Sequence, residues 1–137
     1  MRGVTLIELL VCTVVLAILA ALAIPGYRTH VLRAQRSDAR GALLRVLGNE
    51  ERHFLQHGRY TADLVAPPEA GGLGMAQVTE LQFYELSIRL TGDGYVASAM
   101  PLGRQRDDTG CASFSIDERG TRTAMGSDPQ ATSHCWR

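Results

Sequence analysis

Between Leu9 and Ile24 the sequence holds no charged residue and a single hydroxyl, Thr13. Nearly all charge lies after Tyr27, so the chain divides into a membrane or assembly segment and a soluble part. Net charge is absent too: formally zero over 137 residues, enough for one domain. The whole molecule therefore has no pull towards nucleic acid or acidic surfaces. The Arg-rich stretch from Arg28 to Arg59 is the local exception, and it lacks the interleaved aromatics of a nucleic-acid patch. Missing as well is any catalytic constellation. Ser113 and Ser115 have no attendant His–Asp pattern, and Cys111 and Cys135 lack the close CxxC spacing of a redox site. His53 and His57 stand four apart, the spacing of a helical metal pair, without the adjacent Glu or a third ligand. Asp107-Asp108 is at most half a calcium site, since calcium wants six or more oxygens. The pattern fits neither an enzyme nor a cofactor or metal protein.

Cysteine is scarce, with three in the chain. Cys12 sits inside the apolar run as a small filler. Cys111 and Cys135 fall in the polar C-terminal third. That distribution points to one disulfide and an oxidising compartment, with two reduced buried thiols as the alternative.

Residues 4–24 form an apolar stretch long enough to cross a bilayer, which takes about 20 residues. Arg2 precedes it, and Arg28 and Arg33 follow it, so charge bias does not set its orientation. Glu8 does not suit a simple anchor. A carboxylate in lipid costs a few kcal/mol and calls for a partner, unless it reaches the headgroups from near the helix end. A removable secretory signal would explain Ala20, Ala21 and Ala23 after the core. It would not explain Glu8, or the direct continuation through Ile24-Pro25-Gly26-Tyr27 into a further helical pattern.

Gly3-Val4-Thr5-Leu6-Ile7-Glu8 followed by that apolar run resembles the class III signal of type IV prepilins. The resemblance implies cleavage after Gly3 by a prepilin peptidase and methylation of the new N-terminus, Val4. It also implies that Glu8 pairs with the amino group of an adjacent subunit's first residue. Val4 replaces the usual Phe, and the leader, Met1-Arg2-Gly3, is very short.

Pro25 and Gly26 predict a kink or local melting, because Pro removes a backbone donor and crowds the preceding turn. Beyond them Leu32, Ala39, Leu43, Val46, Leu47 and Phe54 make one apolar stripe, with Arg33, Arg36, Asp38 and Arg40 largely off it. His57-Gly58 is the expected helix end, Gly58 in the left-handed cap. From Val4 to Gln56 such a helix would be roughly 80 Å long. Residues 58–82 read as a loop around Pro67-Pro68 and Gly71-Gly72, tacked down by Leu64-Val65. Four strands are expected: 83–91, 95–100, around Ala112, Phe114 and Ile116, and 121–125. Turns fall at Gly92-Asp93-Gly94 and Asp117-Glu118-Arg119-Gly120.

The expected class is α+β: one long helix packed on a four-stranded antiparallel sheet, closed by a C-terminal Cys111–Cys135 loop as in the pilin fold. The segments are leader 1–3, transmembrane and assembly helix 4–26, and globular domain 27–137. That domain comprises helix 27–57, loop 58–82, and sheet with disulfide loop 83–137. Glu51-Arg52-His53-Phe54, Gly58-Arg59-Tyr60-Thr61, Gly94-Tyr95 and Cys135-Trp136 resemble PilE-type minor pilins. The implied function is that of a type IV pilus subunit, serving motility, adhesion or DNA uptake. Its implied partners are other pilins, the prepilin peptidase, an inner-membrane assembly platform, and lipid before assembly. The precursor would sit in the inner membrane with its C-terminal domain periplasmic, and the mature subunit in the extracellular pilus. The alternatives are a type II secretion pseudopilin and a tip pilin that captures DNA or a receptor.

Overall fold

A computed structural model describes residues 5–137, leaving aside the side chains of residues 23–25. One helix, α1, runs Leu6–His57. Thr5 caps its start, its hydroxyl accepting from the Glu8 N–H at 3.3 Å. Gly58 ends it at φ 68°, a left-handed conformation that glycine adopts without steric cost, and donates to the Phe54 carbonyl at 2.8 Å. The expected break at Pro25-Gly26 does not interrupt the helical assignment. A proline inside a helix removes one hydrogen bond from the ladder, and the long helical runs on either side hold the backbone through it.

The sheet is a four-stranded antiparallel meander in the order β1-β2-β3-β4. Its strands are β1 (Tyr84–Thr91), β2 (Gly94–Pro101), β3 (Ser113–Asp117) and β4 (Arg122–Met125). Each lies within two residues of the alternation read from the sequence. The two-residue β1–β2 turn opens on Gly92 at φ 55°, the positive value a tight hairpin needs.

Register sorts the faces. Leu86 opposes Ala99, Ala97 opposes Ile116, and Ala99 opposes Phe114. These side chains meet Ala39, Ala42, Leu43 and Val46 of α1 in one buried core. Small residues on both sides leave room for the rings of Tyr84 and Phe114, which meet edge-on at 5.7 Å. Leu90, two positions on from Ile88 in the same alternation, is exposed at the far end of β1.

The helix stripe also differs from its apolar outline. Phe54 is exposed, while Asp38, Glu50 and His53 are buried. Each of these buried polar groups has a partner beyond the end of α1. Asp38 accepts from the Thr79 hydroxyl, Glu50 from the Thr61 N–H, and His53 Nδ1 donates to the Arg59 carbonyl at 2.9 Å. In the loop after α1, Leu64 and Leu73 are buried but Val65 is exposed.

The tail is more ordered than its sequence reads. A short helix, α2 (Ala131–Cys135), packs along β4. The Thr132 hydroxyl accepts from the Ala124 N–H and donates to the Ala124 carbonyl, covering the outer edge of β4. Trp136 Nε1 donates to the Thr123 carbonyl at 2.8 Å. Cys111 and Cys135, both buried, form the disulfide that ties this tail to the β2–β3 connection.

Candidate assembly surface on the N-terminal helix

The first turns of α1 are buried against no other described part of the chain. Leu6, Ile7, Leu9, Leu10, Val11, Val14, Val15, Leu16, Ile18, Leu19 and Leu22 are all exposed, each by about half or more of its surface. Fully burying one such side chain is worth about 1.5–3 kcal/mol, so leaving these eleven about 60% exposed forgoes roughly 10–20 kcal/mol. That is comparable to the whole stability of a typical domain, about 5–15 kcal/mol. The segment is long and apolar enough to cross a membrane. Its apolar residues point all round the helix, as suits burial in lipid or among other helices rather than against one flat partner. Thr13 satisfies its hydroxyl on the Leu10 carbonyl at 2.9 Å, and Cys12 is a free, exposed thiol.

Glu8 stands inside this surface, and its carboxylate meets no described residue. Gly3 and Val4, the expected cleavage and methylation positions, lie outside the described residues.

Below the sheet, the β2–β3 connection locks the domain to α1. Arg36 Nε and Nη2 donate to the two carboxylate oxygens of Asp108, each at 2.7 Å. The pair is largely buried, and the Asp108 hydrogen bond, opposed by burial, raises the Arg36 pKa. Gln105, fully buried in the 3-10 turn Gly103–Asp107, donates to the Leu32 carbonyl and to Tyr84 Oη. Burial raises Tyr84 to about 12 against the Gln105 bond. The sequence sets Arg36 off the apolar stripe and Asp108 in an adjacent acidic pair; only contact across the fold reveals that the two bind each other.

His53 and His57 stack at 4.2 Å, and His57 Nδ1 donates to the His53 carbonyl, so both rings trim the helix end. No cluster of three metal-ligating side chains occurs among the described residues.

Comparison with known proteins agrees with this layout. Residues 1–24 match the prokaryotic N-terminal methylation motif. The type IV major fimbrial protein FimA of Dichelobacter nodosus is 34% identical over 115 residues, covering 80% of this chain. The chain spans 62% of that relative's length. The type IV major pilin protein PilE1 of Neisseria gonorrhoeae is 35% identical over 75 residues, 49% of this chain and 44% of its own. A solved type IV pilin from Shewanella oneidensis aligns with TM-score 0.49 and 26% identity, over 67% of this chain and 90% of that one. Residues 25–115, more than half of the chain, match the family described as type IV minor pilin ComP, DNA uptake sequence receptor. The chain is a type IV pilin subunit and belongs to that minor pilin family.

Proposed function

We propose that this chain is made as an inner-membrane precursor with its domain in the periplasm. A prepilin peptidase cuts it between Gly3 and Val4, Val4 is methylated, and an assembly platform feeds the subunit into a pilus as a minor component. The role is structural, not enzymatic. The observation that carries it is Glu8: a carboxylate with no partner among the described residues, inside an exposed apolar helix, for which the amino group of a neighbour's first residue is a fitting counter-charge. Pro25-Gly26 is the place where α1 would open on assembly. Glu8→Ala should leave membrane insertion intact and remove the subunit from sheared fibres. Incorporation at the wild-type level would refute the charge pairing.

The family match favours one use of the fibre, DNA uptake. Exposed arginines such as Arg59, Arg89 and Arg122 supply phosphate-binding groups, although net charge is zero. The soluble domain from residue 27 onward keeps every buried core side chain, because burial on α1 begins at Asp38. Mobility shift of a DNA duplex by that domain at low salt tests this use; no shift removes it.

A secretion pseudopilin is less favoured. Both Asp108 oxygens are held by Arg36, which takes one of the two adjacent carboxylates away from a calcium loop. Thermal stabilisation of the domain by calcium would reverse that preference.

A further inference from the structure

A groove of about 700 Å³ lies where α1 leaves its apolar segment, between that helix and the 3-10 turn Gly103–Asp107. Tyr27, Arg28, Leu32 and Gln35 line one wall, Arg104 and Asp107 the other. Tyr27 is 72% exposed. The side chains of Arg28, Arg104 and Asp107 are exposed, and none is paired with a described residue.

The position along α1 decides what can reach the groove. Arg28 follows Ile24 by four residues, about 6 Å at 1.5 Å per residue. The headgroup layer of one leaflet is roughly 5–8 Å thick. With the apolar segment in a bilayer, Arg28 and Tyr27 therefore sit at headgroup depth, where aromatic and basic anchors are favoured. Arg104 and Asp107 line the groove from the domain on its outer side, next to Gln105, which donates to the Leu32 carbonyl about 12 Å beyond Ile24. A DNA duplex has no access at that depth, whereas a lipid headgroup is already there.

We propose that this groove holds one phospholipid headgroup, with Arg28 and Arg104 on the phosphodiester and Asp107 accepting from the headgroup's ammonium or hydroxyl donor. Guanidinium groups bind phosphate oxygens through charge-assisted forks, and Tyr27, one residue nearer the bilayer than Arg28, borders the glycerol end. The contact fixes the tilt of the domain on the membrane surface while the precursor awaits extraction, and it is given up on assembly. The proposal rests on the reading that the apolar segment is membrane-inserted before assembly.

Native mass spectrometry of the full-length chain in detergent, offered phosphatidylethanolamine, phosphatidylglycerol or phosphatidylcholine in turn, tests it. One ethanolamine or glycerol lipid should be retained in preference to the choline lipid, which carries no N–H or O–H donor. An arginine near a lipid surface is worth about 1 kcal/mol, or roughly fivefold. Arg28→Gln with Arg104→Gln should therefore cut retention by about tenfold or more. Asp107→Asn should abolish the preference over choline lipid, and Arg119→Gln, on the β3–β4 turn, should change nothing. Equal retention of all three lipids, or an equal loss in Arg119→Gln, overturns the site. So does loss of a dimer signal in the double variant, which would give the groove to a second copy. Displacement of the lipid by a DNA duplex would give it to nucleic acid. Alkaline extraction separates the two layers of the argument. If the wild-type chain leaves membranes in alkali, the insertion reading fails and takes the site with it; if it stays and no lipid selectivity is seen, only the site fails.

Discussion

Glu50 offers a quantitative test of the domain's interior. Its side chain is 0% exposed. One oxygen accepts from the Thr61 N–H at 3.2 Å, and the other has no partner. Tyr95 Oη is likewise buried without a partner. Desolvation by burial raises the Glu50 pKa from 4.5 to about 7; the Thr61 bond opposes the shift and Glu51 adds to it. The folded state thus holds a proton that the unfolded state releases above 4.5. Stability falls as pH rises through the window from 4.5 to about 7 and is level above it. At 1.36 kcal/mol per pH unit, the cost is about 0.4 kcal/mol at pH 4.5 and about 3 kcal/mol at pH 8. Glu50→Gln keeps the shape and an acceptor for Thr61 but cannot ionise. Urea unfolding of the domain 27–137, followed by circular dichroism, should show the variant nearly equal to wild type at pH 4.5. At pH 8 it should be more stable by about 2–3 kcal/mol. Other titrating groups cancel in the difference. A pH-independent difference, or a less stable variant at pH 8, would refute the reasoning.

Two further outcomes follow from buried connections. Asp108→Ala strands the Arg36 guanidinium, only 15% exposed, and should cost about 3–5 kcal/mol, while Arg36→Leu with Asp108→Leu should cost less than the single change. A double variant worse than the single one in thermal or urea unfolding would contradict that. Replacing Cys111 and Cys135 by Ser removes a link across 24 residues and should cost about 3.5 kcal/mol in the chain-entropy model. Hydrogen exchange at the Ala124 N–H should quicken as α2 and Thr132 loosen, and unchanged exchange would show that the tail holds without its bridge.

Much of this architecture is legible in the residues. Alternation at Tyr84-Leu86 and Phe114-Ile116 marks strands because one sheet face is dry. Gly58 marks the helix end because the cap needs a positive φ. What escapes is whatever depends on partners far along the chain. Periodicity scores Asp38, Glu50 and His53 as polar, and their burial follows from Thr79, Thr61 and Arg59 arriving from the loop after α1. Phe54 looks like core and is not, since His53 takes the buried position beside it. The helix α2 is too short for a periodic signal, and it is fixed by the disulfide and the β4 edge. Among the proposed functional residues, Glu8 is visible as an energetic misfit, whereas the groove of Arg28, Arg104 and Asp107 exists only once the β2–β3 connection folds back on α1.

The central claim is that α1 is a polymerisation element released at Gly3–Val4. Intact-mass analysis of the protein from cells with and without the prepilin peptidase tests it most directly. With the peptidase, the mature chain should begin at Val4 and carry one added methyl group. Without it, the N-terminus should stay uncut and unmethylated. The same uncut mass in both strains would contradict the account.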